Sequence, residues 1–450
     1  MRQTGCVTLA DLERELDDGG LRSLLGSAGD ERLRRAATAL LLEAPQLHLG
    51  RALDFVDALT AVLEKSGASV ERISAAGDAR RFESLVREII VVAASPNPAA
   101  AIDTIAALPA FADVLHRTSR RAILQYQSIE VDLRVASPDE YGSVLFEATG
   151  SREHVKGIAA RRRDQKCRAR EEQVFEDAGL TFIPPELRHA TGEIEAAAER
   201  RLPHLVDRSH IRGDLHMHST YSDGRDTLEE MVRACAELGY EYIAITDHSE
   251  RAGASRTVAR NQLTKQRNAI AALREQYPQL AILHGLEVDI MPDGSLDFED
   301  DLLAPLDIVL ASLHDAARQG AGVLTRRCLQ AIRHPLVNVI THPANRLVGR
   351  RAGYALDFPA IYRAAAETGT ALEIDGAPSH LDLDGEHARA AAAAGVTLAI
   401  DSDCHRARAL ARNMQMGIGV ARRGWIEPKH VLNTRPLAAV REFIAAKRHS

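Results

Sequence analysis

With 450 residues, 45% hydrophobic and 26% charged, the chain is long enough for two or three domains with sizeable cores. A net charge of -7 argues against a whole-surface polyanion binder while leaving room for a local basic patch. The five cysteines (Cys6, Cys167, Cys235, Cys328, Cys404) are scattered and form no CxxC, which argues against a disulfide framework and a thiolate zinc site. There is no charged-then-apolar leader and no run of about 18 apolar residues, so a cytoplasmic protein without a membrane partner is expected.

The chain opens with apolar residues at helical spacing in Leu33–Leu42 and Ala52–Leu63, interrupted by a turn at Ser27-Ala28-Gly29-Asp30. This predicts a helical region over residues 1–66. A smaller α+β region is expected over residues 67–190, with strands at Glu88–Ala94, Arg121–Gln125 and Ile129–Val135 and a helix at Ala99–Leu108. Within it, Ser151–Arg170 carries eight Lys/Arg against two acids, including Arg161, Arg162 and Arg163. Such a run is either a solvated helix face or a contact for DNA. Ile183-Pro-Pro-Glu-Leu187 reads as a rigid turn and Glu193–Arg201 as a polar connecting helix, giving a linker over residues 191–211.

From residue 212 to 450 the character changes. Short apolar strands at Tyr242–Thr246, Ala281–Ile290, Asp307–Leu313, Val337–Thr341, Ala371–Ile374 and Val396–Ile400 alternate with Ala-rich amphipathic helices. Apolar strands separated by helices are parallel strands buried on both faces, hence an α/β fold closed as a β/α barrel.

Imidazoles and carboxylates sit at the ends of these strands. His216 and His218 end or follow a first strand ahead of these, His248 follows Tyr242–Thr246, Glu287 lies within Ala281–Ile290, His314 follows Asp307–Leu313, His342 follows Val337–Thr341, and Asp403 and His405 follow Val396–Ile400. The C-terminal rim of a β/α barrel is where such groups meet. The i,i+2 spacing of His216 with His218, and of Asp403 with His405, puts each pair on one side of an extended segment. Ser222-Asp223-Gly224 forms a turn that folds Asp223 over the site, with Gly224 supplying a positive φ. The same alternation points Cys404 away. His284, His334, His380, His387 and His430 have no consistent placement. Imidazole with carboxylate and no thiolate suits Zn²⁺, Mn²⁺ or Fe.

The motifs Gly213-Asp-Leu-His-Met-His-Ser-Thr-Tyr-Ser-Asp-Gly224, Ile245-Thr-Asp-His-Ser249, Gly285-Leu-Glu-Val-Asp289, Ala311-Ser-Leu-His314, Thr341-His-Pro343 and Asp401-Ser-Asp-Cys-His405 resemble those of the PHP (polymerase and histidinol phosphatase) superfamily. More narrowly they resemble the C-terminal domain of bacterial family X DNA polymerases, with Ala421-Arg-Arg-Gly-Trp425 and Val431-Leu-Asn-Thr-Arg435 similar to that subgroup. The resemblance implies a distorted seven-stranded barrel holding three divalent metals. It implies that His216, His218, Glu287 and Asp403 hold the first, that Glu287 bridges to a second completed by His314 and His342, and that Asp223, His248 and His405 hold the third. Metal coordination brings the pKa of water towards neutrality and neutralises phosphoryl oxygens. Arg346, Arg350 and Arg351, just after His342, are candidate substrate-phosphate ligands or solvated loop residues.

Upstream the resemblance weakens. Gly77-Asp-Ala-Arg-Arg81 resembles the nucleotide-binding turn of family X polymerases, and Val131-Asp-Leu-Arg134 the strand bearing a catalytic Asp, here Asp132. Thr149-Gly-Ser151 resembles their sugar-contacting turn, with Ala148 in place of the aromatic. Where that family has an Asp-x-Asp pair, this chain has Glu88-Ile89-Ile90, and two-metal nucleotidyl transfer needs clustered carboxylates. The chain is also expected to lack the usual N-terminal lyase domain, Gly26–Gly29 being a poor hairpin. The expectation is a degenerate polymerase scaffold in front of an intact phosphoesterase, acting as a 3′→5′ exonuclease on DNA. The alternatives are a phosphomonoesterase for a small metabolite such as histidinol phosphate, and a DNA-binding accessory protein of repair.

Overall fold

The computed structural model describes residues 6–43, 46–253, 256–314 and 319–449. Thr8 opens the first helix, α1 (Leu9–Asp17): its hydroxyl accepts the Asp11 N–H at 3.1 Å, and the Asp11 carboxylate accepts the Thr8 N–H at 3.0 Å. That reciprocal pair is a capping box. Two further helices follow, α2 (Arg22–Glu43) and α3 (Leu49–Glu64). The turn expected at Ser27–Asp30 is not there. The chain instead kinks once at Gly26 (φ 67°, ψ 167°), a conformation glycine takes without a Cβ clash, and resumes the helix directly.

Seven strands belong to the front half: β1 (Leu47–His48), β2 (Arg72–Ala75), β3 (Leu85–Val86), β4 (Ile89–Ala94), β5 (Phe111–Arg117), β6 (Arg121–Tyr126) and β7 (Ile129–Ala136). Five of them form a sheet in the order β2-β4-β7-β6-β5, and β1 pairs with β3. Strand β4 reads Ile-Ile-Val-Val-Ala-Ala and is buried along its whole length, as a central strand covered on both faces must be. It runs parallel to β7, which places Ile90 beside Asp132. Of the basic stretch, only Arg152–Ala159 is helical; residues 160–170 are irregular.

The second sheet contains β8 (Gly213–Asp214), β9 (Tyr242–Ile245), β10 (Ala281–Asp289), β11 (Ile308–Ser312), β12 (Val339–Ile340), β13 (Ala371–Asp375) and β14 (Leu398–Asp401), hydrogen-bonded in sequence order and all parallel. A parallel bridge between Met217 and Cys404, with the Leu215 N–H on the Asp401 carboxylate at 2.8 Å, links the segments after the first and last strands and nearly closes the barrel. Asn433 locks that seam by donating to the Gly213 carbonyl at 2.9 Å and accepting the Ile400 N–H at 3.0 Å.

The helix Leu410–Arg423 faces the front half. A Cβ on its Gly419 would stand 2.0 Å from the Phe82 ring, so only glycine lets this helix approach so closely. Arg422 reaches Glu186 at 2.7 Å, Arg423 pairs with Glu83 at 2.5 Å, and Arg412 pairs with Asp54 at 3.3 Å. These contacts seat the helices and small sheet against the barrel beside β13 and β14. No helix among the described residues is long and apolar enough to cross a membrane.

Candidate metal centre

Barrel strands deliver their side chains to one rim, and the nine residues singled out from the sequence meet there. Glu287, in β10, lies between two sets of imidazoles. Its Oε2 is 2.8 Å from His248 Nδ1, 3.4 Å from His216 Nε2 and 3.6 Å from His218 Nε2. Its Oε1 is 3.0 Å from His342 Nε2 and 3.4 Å from His314 Nε2. Asp403 Oδ1 stands 3.0 Å from His218 and 3.6 Å from His216. Asp223 Oδ1 completes the far side, 3.2 Å from His405 Nε2 and 3.5 Å from His248 Nε2.

Ligand-type atoms therefore gather in overlapping groups: His218, Asp223, His248 and His405; His216, His218 and Asp403; and His248, Glu287 and His314, each group lying within 4.8 Å. His218 Nδ1, His342 Nδ1, Asp223 Oδ1 and Glu287 Oε2 are buried without a hydrogen-bond partner. Buried polar atoms without partners are costly. Imidazole and carboxylate, hard to borderline ligands with no thiolate, fit Zn²⁺, Mn²⁺ or Fe.

A supporting layer fixes these groups. His216 Nδ1 lies 2.6 Å from Glu373 Oε1, and the other Glu373 oxygen accepts the His342 N–H at 2.7 Å. His314 Nδ1 lies 2.8 Å from Asp289. In both cases the ring's second nitrogen is left for the centre, the usual arrangement around a metal-ligating histidine. Asp247, wholly buried, accepts from Ser219 N and Oγ at 2.8 and 2.7 Å, from Ser222 Oγ at 2.5 Å and from Gln266 at 2.6 Å. It shapes the loop that carries Asp223. Gly224 does not use a positive φ, contrary to the sequence reading. It is required because a Cβ there would meet the Ser219 backbone at 2.6 Å. Positive φ instead falls on His342 (27°) and Asp403 (44°), strained positions for side-chain-bearing residues that the surrounding hydrogen bonds hold in place.

Electrostatics follow from crowding. Burial opposes charge on His342 and His405, yet Glu287 beside the first and Asp223 and Asp403 beside the second raise both to about 9. His218 is pushed down to about 3 by burial and by His405 and His248. Burial works against ionised Glu287, but the surrounding imidazoles hold it well below the ordinary carboxylate range. Cys404 is buried, donates to the Arg406 carbonyl and is pushed up to about 12 by burial, so it stays a thiol outside the ligand groups.

The three arginines sit elsewhere. Arg346 donates to the His380 carbonyl at 2.8 Å and to Ser84 at 3.1 Å, and Arg351 to Asn345 at 2.8 and 2.9 Å, so both spend their donors on loop structure. Arg350 is exposed. All three line a cleft of about 1060 Å³ between the barrel and the front half, together with Arg389, Arg423, Glu83 and Asp384. None of the nine clustered residues lines it.

Sequence reasoning missed Glu373, Asp375 and His380. Glu373 and Asp375 have the same i,i+2 spacing at the end of β13 that singled out His216 and His218, so the signal existed.

The PHP domain family matches residues 214–343. The DNA polymerase/3′-5′ exonuclease PolX of Bacillus subtilis (strain 168) is 36% identical over 393 residues, covering 83% of this chain and 68% of that protein. The chain belongs to the PolX family. This PolX-family chain is also 30% identical over 248 residues to a "Probable phosphatase" of Thermoanaerobacter sp. (strain X514), covering 52% of this chain and 95% of the relative. Among solved structures, histidinol phosphate phosphatase from Lactococcus lactis, complexed with zinc, L-histidinol and phosphate, aligns at TM-score 0.38 and 20% identity, covering 47% of this chain and 94% of that one.

Proposed function

We propose that this chain is a metal-dependent phosphoesterase that hydrolyses phosphodiester bonds of DNA from the 3′ end. The observation that carries the reading is Glu287 standing between two imidazole sets, one facing each carboxylate oxygen. In this reading His216, His218, Glu287 and Asp403 hold one divalent ion, Glu287, His314 and His342 a second, and Asp223, His248 and His405 a third. Such ions would activate water and offset the charge of the phosphoryl group. The chain's own contribution is orientation: Glu373 and Asp289 fix the rings of His216 and His314, and Asp247 fixes the Asp223 loop. The PolX relative, named for 3′-5′ exonuclease activity, supports a DNA substrate.

The division of labour we infer is a helical region over residues 1–66, a degenerate polymerase-like region over 67–190, a link over 191–211 and the phosphoesterase over 212–450. Polymerisation is absent in this reading. Asp132 is held by Arg121 at 2.8 Å and Arg134 at 2.8 Å, its neighbour across the sheet is Ile90, and Arg121 is also paired with Asp11 at 2.9 Å. Of the basic stretch, Arg152, Lys156, Arg162 and Arg168 are paired with Asp17, Asp18 or Asp177, leaving Arg161, Arg163, Lys166 and Arg170 exposed for a DNA contact.

A second reading, hydrolysis of a small phosphomonoester, draws on the "Probable phosphatase" relative. Incubating Mn²⁺-loaded protein separately with single-stranded DNA and with histidinol phosphate distinguishes the two. The exonuclease reading expects shortened DNA; hydrolysis of the monoester alone contradicts it.

A further inference from the structure

Asp375, His380 and Asp403 bring one ligand atom each within 4.8 Å of one another. Asp375 ends β13, His380 lies in the turn that follows it, and Asp403 follows β14. Asp375 is wholly buried; its Oδ1 accepts the Ala377 N–H at 2.5 Å, while Oδ2 has no partner. The His380 ring stacks on His342 with centroids 5.2 Å apart, and its Nδ1 is likewise buried without a partner. Neither Asp375 nor Asp403 is paired with an arginine or lysine among the described residues. Two adjacent buried carboxylates and an imidazole, with unpartnered oxygen and nitrogen atoms, form a costly arrangement that either a proton or a shared cation relieves, and the three ligand atoms converge as a cation requires. The donor set is again imidazole and carboxylate, the set that suits Zn²⁺ or Mn²⁺.

We propose that Asp375, His380 and Asp403 form a fourth divalent-cation site, sharing Asp403 with the ion assigned to His216 and His218. The proposal rests on the three-ion reading only through that shared carboxylate. Asp375 and His380 belong to none of the other three ligand groups, so their removal separates the sites. The fourth ion lies on the His342 side of the cluster, where the β13 loop contributes groups that the nine residues do not.

The test counts ions in the full-length protein. Wild type, Asp375→Asn and His380→Gln are loaded with Mn²⁺, desalted and compared by native mass spectrometry and elemental analysis, with circular dichroism confirming the fold. His380 is half-buried in a turn, so its substitution tests the site even where Asp375→Asn perturbs β13. The expected result is four ions per wild-type chain and three in each variant. Equal ion counts in wild type and both variants overturn the fourth site. A loss of two or more ions in His380→Gln also overturns it, because His380 would then support the shared cluster rather than its own ion. Failure of the three-ion reading is distinguishable: there His342→Ala leaves the wild-type ion count unchanged.

Discussion

Glu373 holds His216 from behind, with Nδ1 and Oε1 2.6 Å apart, while its second oxygen takes the His342 N–H at 2.7 Å. One buried carboxylate thus orients an imidazole on β8's extension and fixes the strained backbone of another after β12. Replacing it with glutamine, Glu373→Gln, removes the charge that complements His216. The expected outcome is a loss of roughly 10–100-fold in metal affinity, the usual scale for such orienting groups. Mn²⁺ titration of the apo-protein checks it, and unchanged affinity contradicts it.

Glu287 has a different standing, because each of its oxygens faces its own imidazole set. Glu287→Gln is expected to reduce hydrolysis by more than the roughly 100-fold ceiling of an orienting residue. Initial rates at saturating Mn²⁺ measure this directly, and a smaller loss would place Glu287 in the supporting layer.

The front half is expected to be silent in synthesis. With Asp132 clamped by Arg121 and Arg134, and Ile90 beside it, template, primer and dNTPs should give no extension. Ile90→Asp alone should not restore it, since the added carboxylate meets an Asp132 already paired. Extension that persists in His342→Ala, whose barrel site is impaired, would contradict this.

The same remnant predicts a pH effect. Burial first, then Asp132 and Asp11, raise Glu88 to about 7 from an ordinary 4.5. The folded state therefore keeps a proton that the unfolded chain releases. Stability from this group is complete below the ordinary value and is lost as pH rises through about 7. Glu88→Gln should flatten that decline, gaining on the order of 1 kcal/mol over wild type in alkaline relative to acidic buffer. Denaturant melts on either side of neutrality test it; parallel curves for both proteins contradict it.

Much of the cluster was legible because its residues obey the alternation of strand ends. His216 with His218, and Asp403 with His405, are i,i+2 pairs, Asp223 lies in the loop after β8, and His248, Glu287, His314 and His342 occur one per strand along a barrel whose order follows the sequence. Glu373 and Asp375 obey the same rule, but carboxylates on one strand without a histidine between them carry no distinctive composition. His380 was illegible for another reason: it lies in a turn, where no periodicity assigns a direction. Gly224 was read through its φ, whereas its need comes from a contact with the Ser219 backbone that only the folded loop creates. Arg346 and Arg351 follow His342 in sequence, yet the carbonyls of His380 and Asn345 draw their guanidinium groups into loop structure. Strand β5 escaped notice because it is an edge strand, with Val114 and Leu115 exposed and two register shifts against β6 breaking the alternation.

Phosphodiester cleavage by the barrel cluster is the central proposal. It is tested most directly by the shortening of 3′-labelled single-stranded DNA, measured in Mn²⁺ for wild type and His342→Ala in parallel. Stepwise loss of nucleotides from the 3′ end is expected in wild type and none in the variant. Equal shortening by both proteins, or an intact strand in wild type under conditions where histidinol phosphate is hydrolysed, would contradict it.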